Sequence, residues 1–400
     1  MPSGSLSQLA CLGGTPRFAE SFFVGRPNIG DHSAFLKRAA DILERRWLSN
    51  HGVCVQEFEK RLCDMLGVRH CIAMCNATVA LEITSRALGL RSEVIVPSFT
   101  FVATAHALQW QEITPVFCDI DPATHNIDPA KVEALITPRT TGIVGVHLWG
   151  RPCNVEALQA IADKHGLRLM FDAAHAFGCS HRGKMIGGFG EAEVFSFHAT
   201  KFLNTFEGGA VATNDDALAE RIKLMHNFGF SGFDNVVHIG TNGKMNEMSA
   251  AMGLTGLDSI DTFISANRSH WETCQHELAG VSGISVINYN TDERCNFQYL
   301  ILEVDDDFGL SRDHLLAVLH AENVIARRYF YPGTHRMQPY RSLQPQSHLW
   351  LPETEKVCQR ILSLPTGTAV TEEDIRAFCS IIRAAQQHAE EIKAHLATAI

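Results

Sequence analysis

A lysine placed after a buried strand is an unusual amine, and Lys201 stands in such a place. It closes the stretch Phe195-Ser196-Phe197-His198-Ala199-Thr200-Lys201, and Asn204-Thr205-Phe206-Glu207-Gly208-Gly209 turns the chain behind it. Burial disfavours the charged form of an amine, so its pKa falls and the neutral nitrogen can attack a carbonyl carbon to form a Schiff base. Asp172 lies 29 residues earlier, at the end of the apolar run Arg168-Leu169-Met170-Phe171-Asp172 and before Ala173 and Ala174. A carboxylate at a buried strand end is costly unless a cation pairs with it, and a protonated ring nitrogen would serve. Nearer the N-terminus, Cys75-Asn76-Ala77-Thr78 ends one strand and opens a helix. Small residues there let main-chain N–H groups approach an anion such as a phosphate. Each piece alone has a plainer reading: Asn76, Thr78 or Asp172 as a helix N-cap, Lys201 as a solvated surface charge. Their order along the chain (anion turn, carboxylate, amine) is far more specific than any one of them.

Such groups need strands to carry them, because ligands of an open parallel sheet bind beyond the carboxyl ends of its strands. From residue 71 onward, short apolar runs alternate with helical spacing. Strands are expected at Cys71–Cys75, Glu93–Val96, Pro115–Cys118, Thr141–Val146 and Leu167–Phe171. Helices are expected at Thr78–Leu90, Phe101–Trp110, Pro129–Ile136 and Asn154–Lys164. That alternation implies right-handed crossovers and a mostly parallel sheet covered on both faces. Val194–Phe197 and Gly209–Ala212 come close together and read as neighbouring strands joined by a functional loop. After residue 250 the texture changes. A long helical pattern runs from Glu247 to about Leu278, then come strands at Ile284–Ile287 and Phe297–Val304 and a helix at Arg312–Glu322. Thr371 and Asp374 fit a capping box that opens a final helix running to about the chain end. The reading is an arm plus a large α/β domain over residues 1–250 and a small α+β domain over 251–400. Residues 1–30, with several Gly and Pro, read as an arm over the body or a neighbouring subunit.

Bulk properties exclude other classes. The 400 residues suggest two closely packed domains. A net charge of −10, without a long run of Lys and Arg, argues against nucleic acid as a partner. No apolar stretch approaches the ~20 residues of a membrane span, and Met1–Pro16 has no signal-peptide pattern. The twelve cysteines contain no CxxC, so reduced and mostly buried thiols in a cytoplasmic protein are expected, with no metal site.

Several stretches together carry a resemblance: Trp47-Leu48-Ser49-Asn50, Pro97 to Thr104, Phe171 to His175, Phe195 to Gly209, Asn242 to Glu247, and Leu364-Pro365. They cover about residues 20–370. The chain resembles the sugar aminotransferases of the DegT/DnrJ/EryC1/StrS family, pyridoxal 5′-phosphate (PLP) enzymes of fold type I, the aspartate aminotransferase-like fold. The resemblance implies a role for each residue that matches the family's motifs. Lys201 matches the Schiff-base lysine and proton shuttle, and Asp172 the carboxylate on the pyridine nitrogen. Phe101 matches the aromatic stacked on the ring, and Ala77, Thr78 and Ser196 the phosphate-binding positions. Asn227 matches an asparagine that reaches the phosphate of a neighbouring subunit, which implies a homodimer with shared active sites. His175 stands where many members have Gln, near the cofactor's phenolic oxygen; a structural histidine is the competing view. Asn242, Lys244, Arg327, Arg328 and Tyr331 are candidates for the sugar nucleotide, with surface or packing roles equally open. The reaction implied is ping-pong through pyridoxamine 5′-phosphate, with L-glutamate as donor. Gly25 to Gly30, His198 to Lys201 and Ala326 to Pro332 look like enzymes that aminate C4 of dTDP-4-keto-6-deoxyglucose, as in viosamine and desosamine pathways. Amination at C3, a GDP-linked sugar, or a non-catalytic PLP-fold regulator remain alternatives. Relatives that dehydrate sugars carry histidine in place of the lysine, and Lys201 argues against that reaction.

Overall fold

The computed structural model describes residues 8–398. Seven strands form the central sheet: β1 (His70–Met74), β2 (Glu93–Pro97), β3 (Thr114–Cys118), β4 (Thr140–Val146), β5 (Arg168–Asp172), β6 (Ala192–Ser196) and β7 (Gly209–Thr213). Their order is β1-β7-β6-β5-β4-β2-β3. β7 alone is antiparallel to its neighbours, with Gly209 opposite Ser196 on β6 and opposite Met74 on β1; the other pairings are parallel. Every residue of β2, β6 and β7 is buried, as a sheet covered on both faces demands. Each expected strand of this sheet is present.

Period-two alternation sends side chains to two separate cores. Ile72, Met74, Val94, Val96, Val194 and Val211 face α3 (Ala77–Ala87), α4 (Ala103–Gln109) and the helix Asp216–Met225. Cys71, Ala73, Phe195 and Ala212 face α2 (Val53–Leu66) and α5 (Glu247–Asp258), and Ile42 of α1 (His32–Arg45) joins the same core. The chain changes direction across the sheet between β3 and β4, and crevices open at the carboxyl ends near such a switch.

The expected helix at Pro129–Ile136 is one helical turn, Pro129–Val132, followed by a 3-10 turn at Glu133–Leu135. Pro138 disfavours the helical conformation at Thr137 and ends it. The long pattern after Glu247 is two helices, α5 and α6 (Ile260–Glu277), broken at Ser259 (φ −111°, ψ 7°). α5 is apolar nearly all round because it lies inside the second of these cores, so its pattern merges with the amphipathic α6. The capping box forms at Thr371 and Asp374. It opens α7 (Glu372–Gln387), and after a break at His388 the chain continues as the helix Ala389–Thr398.

A second body carries the antiparallel sheet Ile284–Val286, Leu300–Val304 and Ile361–Leu364. α6, α7 and the helix Arg312–Ala321 pack on it around Leu302, Leu315, Val318 and Phe378. Leu9 is buried in this core. Phe22–Phe23 pairs with Val324–Ile325, and the buried Glu322 carboxylate accepts hydrogen bonds from the Ala10 and Arg17 main-chain N–H groups. The described part of the N-terminal arm therefore lies on its own chain; residues 1–7 lie outside the described residues. All twelve thiols are free, nine of them buried. Among the described residues no helix is long and apolar enough to cross a membrane, and no cluster of three or more His, Cys, Asp or Glu is placed to hold a metal.

Candidate active site

A cavity of about 340 Å³ opens at the carboxyl ends of β2, β4, β5 and β6. Thr100 and Phe101 follow β2, Val146 ends β4, Asp172 ends β5, Ser196 ends β6, and all line it. Lys201 enters from the loop between β6 and β7. That loop is held by a turn from Lys201 N–H to the His198 carbonyl (2.8 Å) and by Phe197 N–H to Gly208 (2.8 Å). The ammonium Nζ lies 3.3 Å from the Tyr299 hydroxyl. Desolvation lowers the Lys201 pKa from 10.5 to about 8, with the Asp172 charge pulling the other way. About a tenth of this amine is therefore neutral and nucleophilic at pH 7, and more as pH rises.

The Asp172 carboxylate is buried. Its Oδ2 accepts from Thr104 Oγ1 at 2.8 Å and its Oδ1 from the Ala174 N–H at 3.1 Å. Desolvation raises its pKa, and these two hydrogen bonds oppose the rise. A third partner, cationic and inside the cavity, would complete the site.

α3 begins at the cavity wall. Asn76 caps it, taking the Val79 N–H at 2.8 Å. The first N–H groups of a helix have no partner within it and favour an anion. Those of Ala77 and Thr78 are of this kind, and both residues line the cavity. A Cβ on Gly209 would come within 2.8 Å of the Ala77 nitrogen, so only glycine lets β7 approach this turn. Phe101 is exposed to the cavity, 6.3 Å from the Phe330 ring. His175 packs against Tyr299 (ring centroids 4.3 Å) and accepts the Trp149 main-chain N–H at Nδ1, 3.2 Å.

Seven of the residues singled out from the sequence thus surround one cavity: Ala77, Thr78, Phe101, Asp172, His175, Ser196 and Lys201. The other six do not line it in the single chain. Lys244 Nζ bonds Asn227 Oδ1 at 2.9 Å, and Asn227 bridges Asn242 in the 226–244 loop beside β1. Arg328 pairs with Asp313 at 3.1 Å and lies over the Tyr331 ring, while Arg327 lies over Tyr329. Their neighbours Tyr329 and Phe330 face the cavity instead. Thr104, Tyr299, Trp149 and Arg26 were not singled out individually. Thr104 and Arg26 fall inside stretches that carried the resemblance; Tyr299 and Trp149 had no local signal.

Burial, then the Lys201 charge, hold the His175 pKa well below its ordinary 6.5. An unfolded imidazole gains a proton as pH falls through 6.5, and the folded one does not. The folded state therefore loses stability below pH 6.5. His175→Gln should show a shallower loss between about pH 6.5 and 5; denaturant midpoints across that range measure it, and equal slopes would refute it.

A softened lysine, a buried carboxylate, a helix N-terminus and an aromatic ring around one cavity fit the aldehyde, ring nitrogen, phosphate and ring face of PLP. On this sheet they define a PLP-dependent aminotransferase of fold type I. The chain belongs to the DegT/DnrJ/EryC1/StrS aminotransferase family, whose sequence pattern matches residues 30–383. It is 38% identical over 361 residues to the dTDP-4-amino-4,6-dideoxy-D-glucose transaminase of Shigella dysenteriae, covering 90% of this chain and 98% of that one. It is 35% identical to the GDP-perosamine synthase of Caulobacter vibrioides, covering 84% and 91%. The solved structure of DesI in the presence of its TDP-sugar product superposes with a TM-score of 0.93 at 49% identity, covering 98% and 99%.

Proposed function

We propose that this enzyme transfers an amino group from L-glutamate to C4 of a dTDP-linked 4-keto-6-deoxy sugar, dTDP-4-dehydro-6-deoxyglucose. The observation that carries the chemistry is Lys201 and Asp172 facing one cavity beside the free N–H groups of α3. The names of the Shigella transaminase and of DesI support the choice of sugar.

PLP, when bound, supplies an electron sink for the pair left behind when a substrate carbon gives up a proton. Lys201 Nζ would anchor that group. As a free amine it takes the proton from the donor's Cα in the first half-reaction. In the second it returns a proton to the sugar carbon that receives the nitrogen. Asp172 holds a proton on the ring nitrogen and so sustains the sink. Ala77, Thr78 and Ser196 hold the phosphate, Phe101 covers one ring face, and Tyr299 orients Nζ from 3.3 Å.

The 226–244 loop exposes Phe228, Phe230, Phe233, Val236, Val237 and Ile239. A patch of that kind marks an interaction surface. Its presence supports a homodimer in which Asn227 reaches the partner's phosphate site and Asn242 and Lys244 reach its substrate. Arg327, Arg328 and Tyr331 adjoin the cavity-lining Tyr329 and Phe330 along the chain, which supports them as further substrate contacts.

The test is a product assay. The holoenzyme is incubated with L-glutamate and, separately, with dTDP-linked and GDP-linked 4-keto-6-deoxy sugars, and the product carbon bearing nitrogen is located by NMR. Nitrogen at C4 of the dTDP sugar is expected. Nitrogen at C3, or faster turnover of the GDP sugar, would overturn the assignment; the perosamine synthase similarity makes the nucleotide comparison the decisive arm.

A further inference from the structure

We propose that Trp149 is a positioning residue: its main-chain N–H holds the His175 imidazole in the neutral tautomer with hydrogen on Nε2, so the cavity presents a fixed hydrogen-bond donor to an acceptor atom of the bound cofactor. The inference rests on the cofactor assignment above and adds a part that the assignment does not require.

A main-chain N–H can only donate, so the Nδ1 atom that receives it at 3.2 Å carries a lone pair and no hydrogen. In a neutral imidazole the remaining hydrogen is then on Nε2. His175 lines the cavity, and among the described residues its Nε2 has no hydrogen-bond partner. The ring lies in an aromatic stack, nearly parallel to Trp149 (23°) and to Phe330 (20°). Of the titratable groups that share this end of the cavity, Asp172 is engaged by Thr104 and Ala174, and Lys201 and Tyr299 face the ring. Lys201 repels a second positive charge on the ring, and burial keeps the Tyr299 hydroxyl protonated, so it offers no anion to stabilise one.

Trp149 is itself held in place from the far side. It has φ 61°, ψ 12°, a left-handed conformation that bulky residues rarely adopt, and it is fully buried. Its indole lies parallel to Phe330 at 5.4 Å. Indole Nε1–H donates to His125 Nδ1 at 3.2 Å, and His125 Nε2 meets Glu303 Oε1 at 2.9 Å. The same donor argument places the His125 hydrogen on Nε2, pointing at the carboxylate. A directed series thus runs from Glu303, on the small sheet, through His125 and Trp149 to His175. Every ring nitrogen in it except the last has a partner, and the last faces the cavity.

The test uses the full chain labelled with ¹⁵N-histidine, without added cofactor. The His175 signals are those lost in His175→Gln. Two-bond N–H correlations should show a neutral ring protonated at Nε2, unchanged from about pH 6 to 8.5. A ring protonated at Nδ1, or a titration with a midpoint near the ordinary value of ~6.5, would overturn the proposal. Trp149→Phe keeps the main-chain N–H but cuts the indole link to His125. The main-chain donor survives, so the same single tautomer should persist; a second His175 tautomer would show that something other than this N–H holds the ring. PLP affinity, read by absorbance titration, should stay close to wild type in His175→Gln, which keeps a donor. It should fall about tenfold in His175→Leu, the loss expected for one buried hydrogen bond; equal affinities would overturn the donor role. Loss of PLP binding in none of these variants nor in Lys201→Ala would sink the cofactor assignment instead, leaving the tautomer result standing.

Discussion

Lys201→Ala should lower turnover by at least ~10²–10⁴-fold, the contribution of a positioned acid–base group alone, with the lost covalent anchor adding to it. Two properties of this amine are removed together: its neutral fraction, which comes from desolvation in the cavity, and its placement 3.3 Å from Tyr299. Lys201→Arg separates charge from nucleophilicity. The guanidinium stays protonated throughout the accessible pH range, so this variant should be as inactive as alanine although it keeps the positive charge. Both should lose the absorbance of the lysine-bound cofactor near ~410–430 nm. The wild-type chain should capture added PLP faster as pH rises through about 8, where Lys201 gives up its proton, and reach a plateau above. Substantial turnover in either variant, or capture that does not change across that range, would show that another group carries the proton.

How much of this was legible in the sequence depends on the range of the forces involved. β6 and β7 were legible as neighbours because both are short apolar runs joined by one loop that ends in Gly208, and Gly209 does pair with Ser196. The order of the remaining strands was not, since parallel partners such as β2 and β4 are chosen by contacts across the whole fold. The break at Ser259 was hidden because α5 is buried on all sides and so has no polar face to mark its end. In the site, Lys201 and Asp172 stood out because charged groups at apolar strand ends are costly. Thr104 gave no such signal: a threonine in a helix start is ordinary until its hydroxyl is seen 2.8 Å from Asp172. Tyr299 lay in a stretch expected to be strand from Phe297. The strand begins only at Leu300, because Asn296 turns aside to donate to the His175 and Phe177 carbonyls, and Gln298 to the Thr200 carbonyl. For Arg328 and Tyr331 the motif gave position along the chain but not direction. The two residues between them, Tyr329 and Phe330, face the cavity, while Arg328 turns to Asp313.

Asp172→Asn should keep the fold and bind PLP, yet turn over ~10²–10³-fold more slowly, the range for removing one preorganised electrostatic contact. Asparagine matches the shape. One oxygen remains to accept the Ala174 N–H, and the new amide can donate to the Thr104 oxygen, whose own hydrogen can turn to Thr100 Oγ1 at 3.1 Å. The charge is what disappears, and with it the group that keeps the ring nitrogen protonated. Stability provides a second reading that activity does not. In the folded chain desolvation raises the Asp172 pKa above its ordinary 3.8. The folded state therefore holds this proton more tightly than the unfolded one, and the ionised carboxylate weakens the fold at neutral pH. Without cofactor, Asp172→Asn should be at least as stable as wild type near pH 7. With PLP the order should reverse, because only the wild-type carboxylate gains a cationic partner and bound ligand stabilises in proportion to its affinity. If the variant is instead the weaker protein without cofactor, Asp172 serves chiefly as the acceptor for Thr104 and Ala174, and the ring partner must be sought elsewhere in the cavity.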